Sequence, residues 1–436
     1  MQSPITQSRT IASPAISYPI HESRLDNGLR VIVSPDHAVP AVAVNLWYDV
    51  GSADETPGRT GFAHLFEHLM FQGSAHVRSG DHLGLIQAAG GSVNGTTSSD
   101  RTNYFESVPT GALRMALWLE ADRLGTLLDA VDQGNLDTQR EVVKEEKRQR
   151  YDNVPYGDVW QRLFELAFPA DHPYGHSSIG SMEDLDAATL DDVRAFFQAH
   201  YRPSRAVLTL AGDVTEKRGR QLAEQFFGHL PGTPGRDRPV VAPLPPHQGV
   251  PRAEVTAAVP RDAVYLTWRL PAAGDDDMEA LGLATSVLGD GITSRLHQAL
   301  VRTELAEGAG AFSMSLARGN SIAVAYARCW DGISPERLEA ALLEAWDAFV
   351  AEGPTEEEHG RSQAQFAREW LSELASLEDR ADRLGQAATL MGDSTWVNRR
   401  LGEVLSITRD DVAAASRRWL GSEHRAVLTY RAGEAS

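Results

Sequence analysis

Two stretches of the chain echo each other at long range, and this echo constrains the fold more than any other feature. Residues 190–210 read LDDVRAFFQAHYRPSRAVLTL and residues 409–430 read RDDVAAASRRWLGSEHRAVLTY. Asp191-Asp192-Val193 matches Asp410-Asp411-Val412 at an offset of 219 residues, and Arg205-Ala206-Val207-Leu208-Thr209 matches Arg425-Ala426-Val427-Leu428-Thr429 at an offset of 220. Each copy reads as a short capped helix, a turn and a strand, and each lies near the end of a half-chain. Two matching words in the same order, at nearly the same spacing, indicate an internal duplication. The expected fold class is therefore α+β: two homologous, α/β-sandwich-like halves, each a mostly antiparallel sheet covered by helices. Helices and strands mix without clean βα alternation, which argues against a doubly wound sheet or a (β/α)8 barrel.

The boundary between the halves is placed at residues 231–250, PGTPGRDRPVVAPLPPHQGV, where six prolines in twenty positions make a linker rather than an element. The domains are then an N-terminal arm at 1–20, a first domain at 21–230, the linker, and a second domain at 251–433. In the first, Leu29–Ser34 and Ala41–Val50 read as a β-hairpin, Gly61–Phe71 and Ser79–Ala89 as helices, and Ser92–Tyr104 as extended. Ala112–Asp122, Leu136–Arg150, Trp160–Phe168, Leu190–His200 and Glu216–Phe227 read as helices, with a strand at Arg205–Ala211. In the second, strands are expected at Val255–Val259, Ala263–Leu270 and Ser321–Tyr326. Helices are expected at Ala280–Ala306, with a Gly-rich interruption at Gly289–Gly291, and at Pro335–Val350, Thr355–Ala375 and Leu377–Met391.

Charge and cysteine usage narrow the function. With 41 Lys+Arg against 60 Asp+Glu the formal charge is −19, which argues against a general nucleic-acid or anionic-membrane binder. The single cysteine, Cys329, rules out an intramolecular disulfide or a thiolate cluster, so any metal must be held by His, Asp or Glu. The N-terminus lacks a basic region followed by an apolar core, and no run approaches a membrane span. The expected location is cytoplasmic.

Residues 61–71, GFAHLFEHLMF, carry His64, Glu67 and His68 as H-x-x-E-H. On a helix His64 and His68 lie one turn apart on one face and can share an ion. Glu67, beside them, is placed to hold a water rather than to complete the ligand set. Two imidazoles plus a carboxylate, with one position open, suit Zn²⁺. Charge inside an otherwise apolar helix is costly unless paired or metal-bound. The third ligand must come from elsewhere. The charged run QREVVKEEKRQR offers Glu141, Glu145 and Glu146, and spacing does not choose among them.

Gly61–Phe71, the later Arg140–Arg150 and Asn153-Val154-Pro155-Tyr156-Gly157 together resemble the inverted zinc metallopeptidases of the insulinase/pitrilysin family, M16, in particular its half-length members. The resemblance runs from Leu25-Asp26-Asn27-Gly28-Leu29 to the last strand. It implies a metalloendopeptidase with one Zn²⁺ per chain, held by His64, His68 and Glu146, with Glu67 as general base. Gln139 falls where the family often has an acidic residue supporting a ligand histidine. Residues 92–105 resemble a strand that pairs with an extended peptide substrate, so substrate contacts are expected at Phe71, Asn94, Gly95 and Thr96. Leu288–Leu296 resembles the family's Gly-rich turn and is given a packing or substrate-loop duty.

The resemblance also implies something missing. The Arg and Tyr that the family's second-type half contributes to the site fall, by the same matching, on Val301 and Gly308, and a shift of one would bring in Arg302. The second half has no H-x-x-E-H. The expectation is a zinc-bearing subunit that pairs with an M16-like subunit supplying the Arg/Tyr pair, a homodimer being the alternative. The competing functional reading is a non-catalytic peptide-binding or processing-complex subunit of the same fold.

Overall fold

The strands alternate large apolar residues toward both faces, so each sheet needs cover on two sides. The computed structural model describes residues 17–232 and 240–433, so most of the expected N-terminal arm and part of the Pro-rich linker lie outside the described residues. The strands are β1 (His21–Arg24), β2 (Arg30–Pro35), β3 (Ala41–Tyr48), β4 (Ser92–Thr97), β5 (Thr102–Pro109), β6 (Ala206–Gly212), β7 (Arg252–Ala257), β8 (Ala263–Pro271), β9 (Ala306–Met314), β10 (Asn320–Cys329) and β11 (Arg425–Ala432). The helices of the first half are α1 (Phe62–Leu69), α2 (Asp81–Ala88), α3 (Leu113–Thr126), α4 (Gln133–Lys147), α5 (Val159–Ala167), α6 (Met182–Ala187), α7 (Leu190–His200) and α8 (Glu216–Phe227). Those of the second are α9 (Asp276–Gly289), α10 (Pro335–Glu352), α11 (Glu356–Ala375), α12 (Leu377–Gln386), α13 (Trp396–Ser406) and α14 (Arg409–Trp419).

The strands form two sheets, ordered β1-β2-β6-β3-β5-β4 and β7-β11-β8-β10-β9. Apart from β1, which extends the first, they share one plan. The echoed strand, β6 or β11, inserts between the first two, parallel to one and antiparallel to the other. The echoed helices match as well. α7 and α14 open with reciprocal capping boxes, Thr189 with Asp192 and Thr408 with Asp411.

Two expectations are corrected. β2 and β3 are not a hairpin, because β6, more than 150 residues later in the chain, lies between them and hydrogen-bonds to both. The helical stretch expected over Ala280–Ala306 breaks at its Gly-rich interruption, α9 ending at Gly289 and a helical turn resuming over His297–Val301, but its far end is wrong, because Ala306 opens the edge strand β9. Its sequence, AEGAGAFSM, has no β-branched residue and hides its strand character. Gly289 has the expected packing duty: a methyl there would lie 1.9 Å from the Ala311 backbone nitrogen of β9. The 406–433 region holds α14 and β11 as the echo indicates, while α13 before it was not anticipated.

Helices are exchanged between the halves. One face of the first sheet is covered by its own helices, with Val31, Val44, Leu46 and Leu208 packing on Phe66, Leu117 and Phe197. The opposite face, Ile32, Trp47 and Val207, is covered by second-half residues Trp370, Leu374, Leu384 and Leu401 of α11–α13. In return α5 of the first half covers the second sheet, with Leu163 and Phe164 among Ile322, Val324, Leu428 and Tyr430. The close fit at Trp47 depends on Gly385 of α12. Trp47 Nε1 donates to Asp382 Oδ1 at 2.9 Å, and a methyl at Gly385 would sit 2.7 Å from Trp47 Cδ1. Gly→Ala within a helix ordinarily stabilises. Here overpacking outweighs that gain, so Gly385→Ala is expected to lower stability by about 1–2 kcal/mol in denaturant unfolding.

Candidate metal centre

α1 buries Phe62, Ala63, Leu65, Phe66 and Leu69, and this turns His64, Glu67 and His68 to the remaining face. α4 opens with a capping box between Asp132 and Asn135 and buries Leu136, Gln139 and Val143. These positions step by three and four residues, and the same stripe continues to Glu146. Glu146 is therefore turned toward α1, its side chain 17% exposed. Glu141 and Glu145 leave the stripe and pair with Lys144 and Arg148 at the surface. Helical register separates three carboxylates that spacing alone left equivalent.

The three side chains converge. His68 Nε2 lies 3.2 Å and His64 Nε2 3.6 Å from the same oxygen, Glu146 Oε2. The imidazole centroids are 4.9 Å apart with planes at 79°. Ligands of a tetrahedral Zn²⁺ stand roughly 3.3–3.5 Å from one another, so the donor set fits such an ion in number, chemistry and spacing. Arg150 Nη1 holds Glu146 Oε1 at 2.7 Å, which leaves Oε2 for the histidines.

The electrostatics suit the same task. Burial, and then the neighbouring His68, pushes the His64 imidazolium down to about 4 against the pull of Glu146. The His68 contact holds the Glu146 carboxyl below its ordinary range, against burial. A neutral imidazole and an ionised carboxylate are the forms that bind metal. Burial raises Glu67, opposed by a hydrogen bond that Thr97 Oγ1 donates to Glu67 Oε2 at 2.6 Å.

Thr97 is a site residue that the sequence did not single out, although it lies within the 92–105 segment, one position past Thr96. β4 is the edge of its sheet, and its alternation decides which residues face α1. Gly95 and Thr97 face Glu67, a methyl on Gly95 falling 3.2 Å from Glu67 Cγ. Asn94 is exposed, and its Oδ1 accepts from Gly95 N at 2.9 Å. Thr96 donates to Asn103 Oδ1 at 2.6 Å, and its carbonyl accepts from Arg101 at 2.8 Å. Gln139 is buried on α4, yet His64 Nδ1 has no hydrogen-bond partner among the described residues. No hydrogen bond joins the amide to His64 Nδ1.

Phe71 leaves the end of α1 and meets His82 and Tyr104 edge-on, both at 5.8 Å. Beneath it lies a second, fully buried group: His82, Glu106 and Glu120. Arg123 forks onto Glu120 and stacks on Tyr104 at 4.3 Å. Burial, then Glu120, lifts Glu106 well above the ordinary carboxyl range, while Arg123, against burial, holds Glu120 down. The Arg123 guanidinium supplies the positive charge that these carboxylates need, so the cluster is balanced by protein groups alone. In the second half Val301 ends a helical turn and Gly308 lies on β9, while Arg302 donates to Gln298 at 3.3 Å.

Comparison with known proteins gives the chain its family. The model described as insulinase (peptidase family M16) matches residues 30–171, and that described as peptidase M16 inactive domain matches 187–366. A Helicobacter pylori protein named zinc protease PqqE is 31% identical over 369 residues, covering 83% of this chain and 82% of the relative. The chain belongs to peptidase family M16. An uncharacterised zinc protease of Streptomyces coelicolor is 28% identical, covering 92% of this chain and 87% of its own length. A crystal structure of a protease from Helicobacter pylori superposes with a TM-score of 0.89 at 26% identity, covering 95% of this chain and 99% of that one. The M16 inactive domain from Pseudomonas fluorescens, at 18% identity, shares the fold with a TM-score of 0.85. Among the described residues no helix is long and apolar enough to cross a membrane.

The His64 environment makes a prediction for the metal-free protein. An unfolded histidine takes up its proton near 6.5, whereas His64 stays neutral down to about 4. Between these values the unfolded chain binds more protons, so stability falls as the pH drops through that window. The expected loss from this residue is about 3 kcal/mol in total. Urea unfolding of metal-free protein at pH 7 and pH 4 measures it, and His64→Gln should shrink the difference by about that amount, the other buried histidines His82, His200 and His247 keeping theirs.

Proposed function

We propose that this chain is a zinc-dependent endopeptidase that hydrolyses peptide bonds in unfolded peptides or short polypeptides. One observation carries the reading: His64, His68 and Glu146 meet around one point, with Glu67 on the same helix face and a free strand edge alongside. A zinc ion held by those three residues would polarise the scissile carbonyl and acidify a water. The chain's own groups supply the rest. An extended peptide adds to the β4 edge, where backbone bonds bind it with little demand on its sequence. Asn94, Gly95 and Thr96 border its path and Phe71 closes one side. A cavity of about 530 Å³ beyond Thr97, bordered by Arg101, Tyr151 and Trp160, gives it room to continue. Glu67, raised by burial, takes a proton from the attacking water and returns one to the leaving nitrogen. Thr97 fixes the carboxylate that does so.

Two substitutions separate the roles. Glu67→Gln is expected to keep zinc at one ion per chain, read by metal analysis, while turnover of a quenched peptide falls by a factor on the order of 10² to 10⁴. Glu146→Gln is expected to lose the metal itself. Wild-type turnover in Glu67→Gln would remove that residue from its role. A protein that takes up no zinc would leave the non-catalytic, peptide-binding reading in its place.

A second part of the proposal concerns the partner. Neither Val301 nor Gly308 carries a side-chain hydrogen-bond donor, and the model matching the second half is that of an inactive domain. We infer that full activity requires an M16-like subunit that supplies an Arg/Tyr pair. The pure chain should then turn over peptide at least tenfold more slowly than the mixed pair, with solution mass recording the complex. Full activity from a homodimer would refute this.

A further inference from the structure

α1 is eight residues long, below the length at which a helix sustains itself in water. Its N-cap is Gly61, with φ 87° and no side chain to cap the free N–H groups. Glu55 supplies the missing acceptors. Its Oε2 accepts from Gly61 N at 2.9 Å and its Oε1 from Ala63 N at 2.7 Å. A carboxylate at this end of a helix meets the positive end of its dipole. The Glu55 side chain is wholly buried, however, and burial raises its carboxyl against the pull of His176 and the two backbone N–H groups, so its charged form needs a partner.

That partner is His176, from the segment between α5 and α6. Its Nε2 lies 3.0 Å from Glu55 Oε2 and 3.0 Å from the Ser52 carbonyl. A carbonyl can only accept, so Nε2 carries the proton and donates to both. The same segment closes on the helix by backbone contact, since a methyl on Gly180 would fall 2.2 Å from Gly61 N. Thr60 adds two bonds to Asp184 Oδ2, at 2.9 and 2.6 Å from its N and Oγ1.

We propose that Glu55 and His176 are positioning residues for the metal centre, fixing the N-terminus of α1 so that both imidazoles face Glu146. The inference rests on the zinc-peptidase reading above. Ala63, whose N–H Glu55 holds, immediately precedes His64, so a tilt of the helix there displaces both histidines relative to α4. The charged groups around the pair are Asp184, which favours the cationic form of His176, and Asp54, which is bound by Arg318 and Arg205. Against burial, the hydrogen bond to Glu55 raises His176 above its ordinary value. Its contribution is therefore fully present below the ordinary histidine value and lost as the pH rises through the raised one.

The test uses Glu55→Gln and His176→Gln in the full chain. Three readouts are needed: zinc retention against a chelator, kcat and KM on a quenched peptide, and the pH dependence of melting of the metal-free protein. Glu55→Gln is expected to weaken zinc retention on the order of tenfold and to lower kcat at nearly constant KM. His176→Gln keeps an N–H donor, so it should retain zinc better than Glu55→Gln and lose the alkaline fall in melting temperature. Wild-type zinc retention in Glu55→Gln would overturn the proposal. So would failure of both variants to fold, because the pair would then serve stability alone. Absence of zinc from the wild-type protein would instead sink the peptidase reading.

Discussion

Each sheet presents two apolar faces, and one chain must cover all four. Ile32 and Trp47 point away from Val31 and Leu46 on the same strands, so helices on one side leave large side chains bare on the other. The chain solves this by exchange, α5 going to the second sheet and α11–α13 to the first. The halves are thus copies in topology but not independent in packing. Arg318 adds to the lock, crossing from the second half to donate to Ala53 O at 3.0 Å and Asp54 Oδ2 at 2.6 Å.

What the sequence disclosed and what it withheld divide along the reach of the interactions. The repeated capping-box helix and strand were legible because both are local, and their copies at Thr189 and Thr408 form the same structure. H-x-x-E-H was legible for the same reason. The pairing of β2 with β6 was not, because adjacency in the chain suggests a hairpin and nothing local reveals a strand inserted from far downstream. β9 was hidden by its alanines and glycines. The exchange of helices has no sequence signature, since an apolar stripe does not say which sheet it will meet.

The site shows the same division on a smaller scale. The two histidines and Glu67 follow from one helical turn, but the choice of Glu146 over Glu141 and Glu145 needs the register in which α4 lies on α1. Thr97 and Arg150 become visible only when β4 and the end of α4 are placed in space. Gln139 lies on the buried stripe yet leaves His64 Nδ1 unsupported.

The route from α4 to α5 gives the exchange a mechanical meaning. Glu146 sits at the end of a helix anchored on the first sheet, and by Val159 the chain has already entered a helix seated on the second. That short tether crosses the seam between the two bodies, with Tyr156 Oη donating to the Arg261 carbonyl at 2.6 Å on the far side. The carboxylate thus stands beside the segment by which the chain passes from one sheet to the other, and it cannot move without disturbing its two imidazole neighbours.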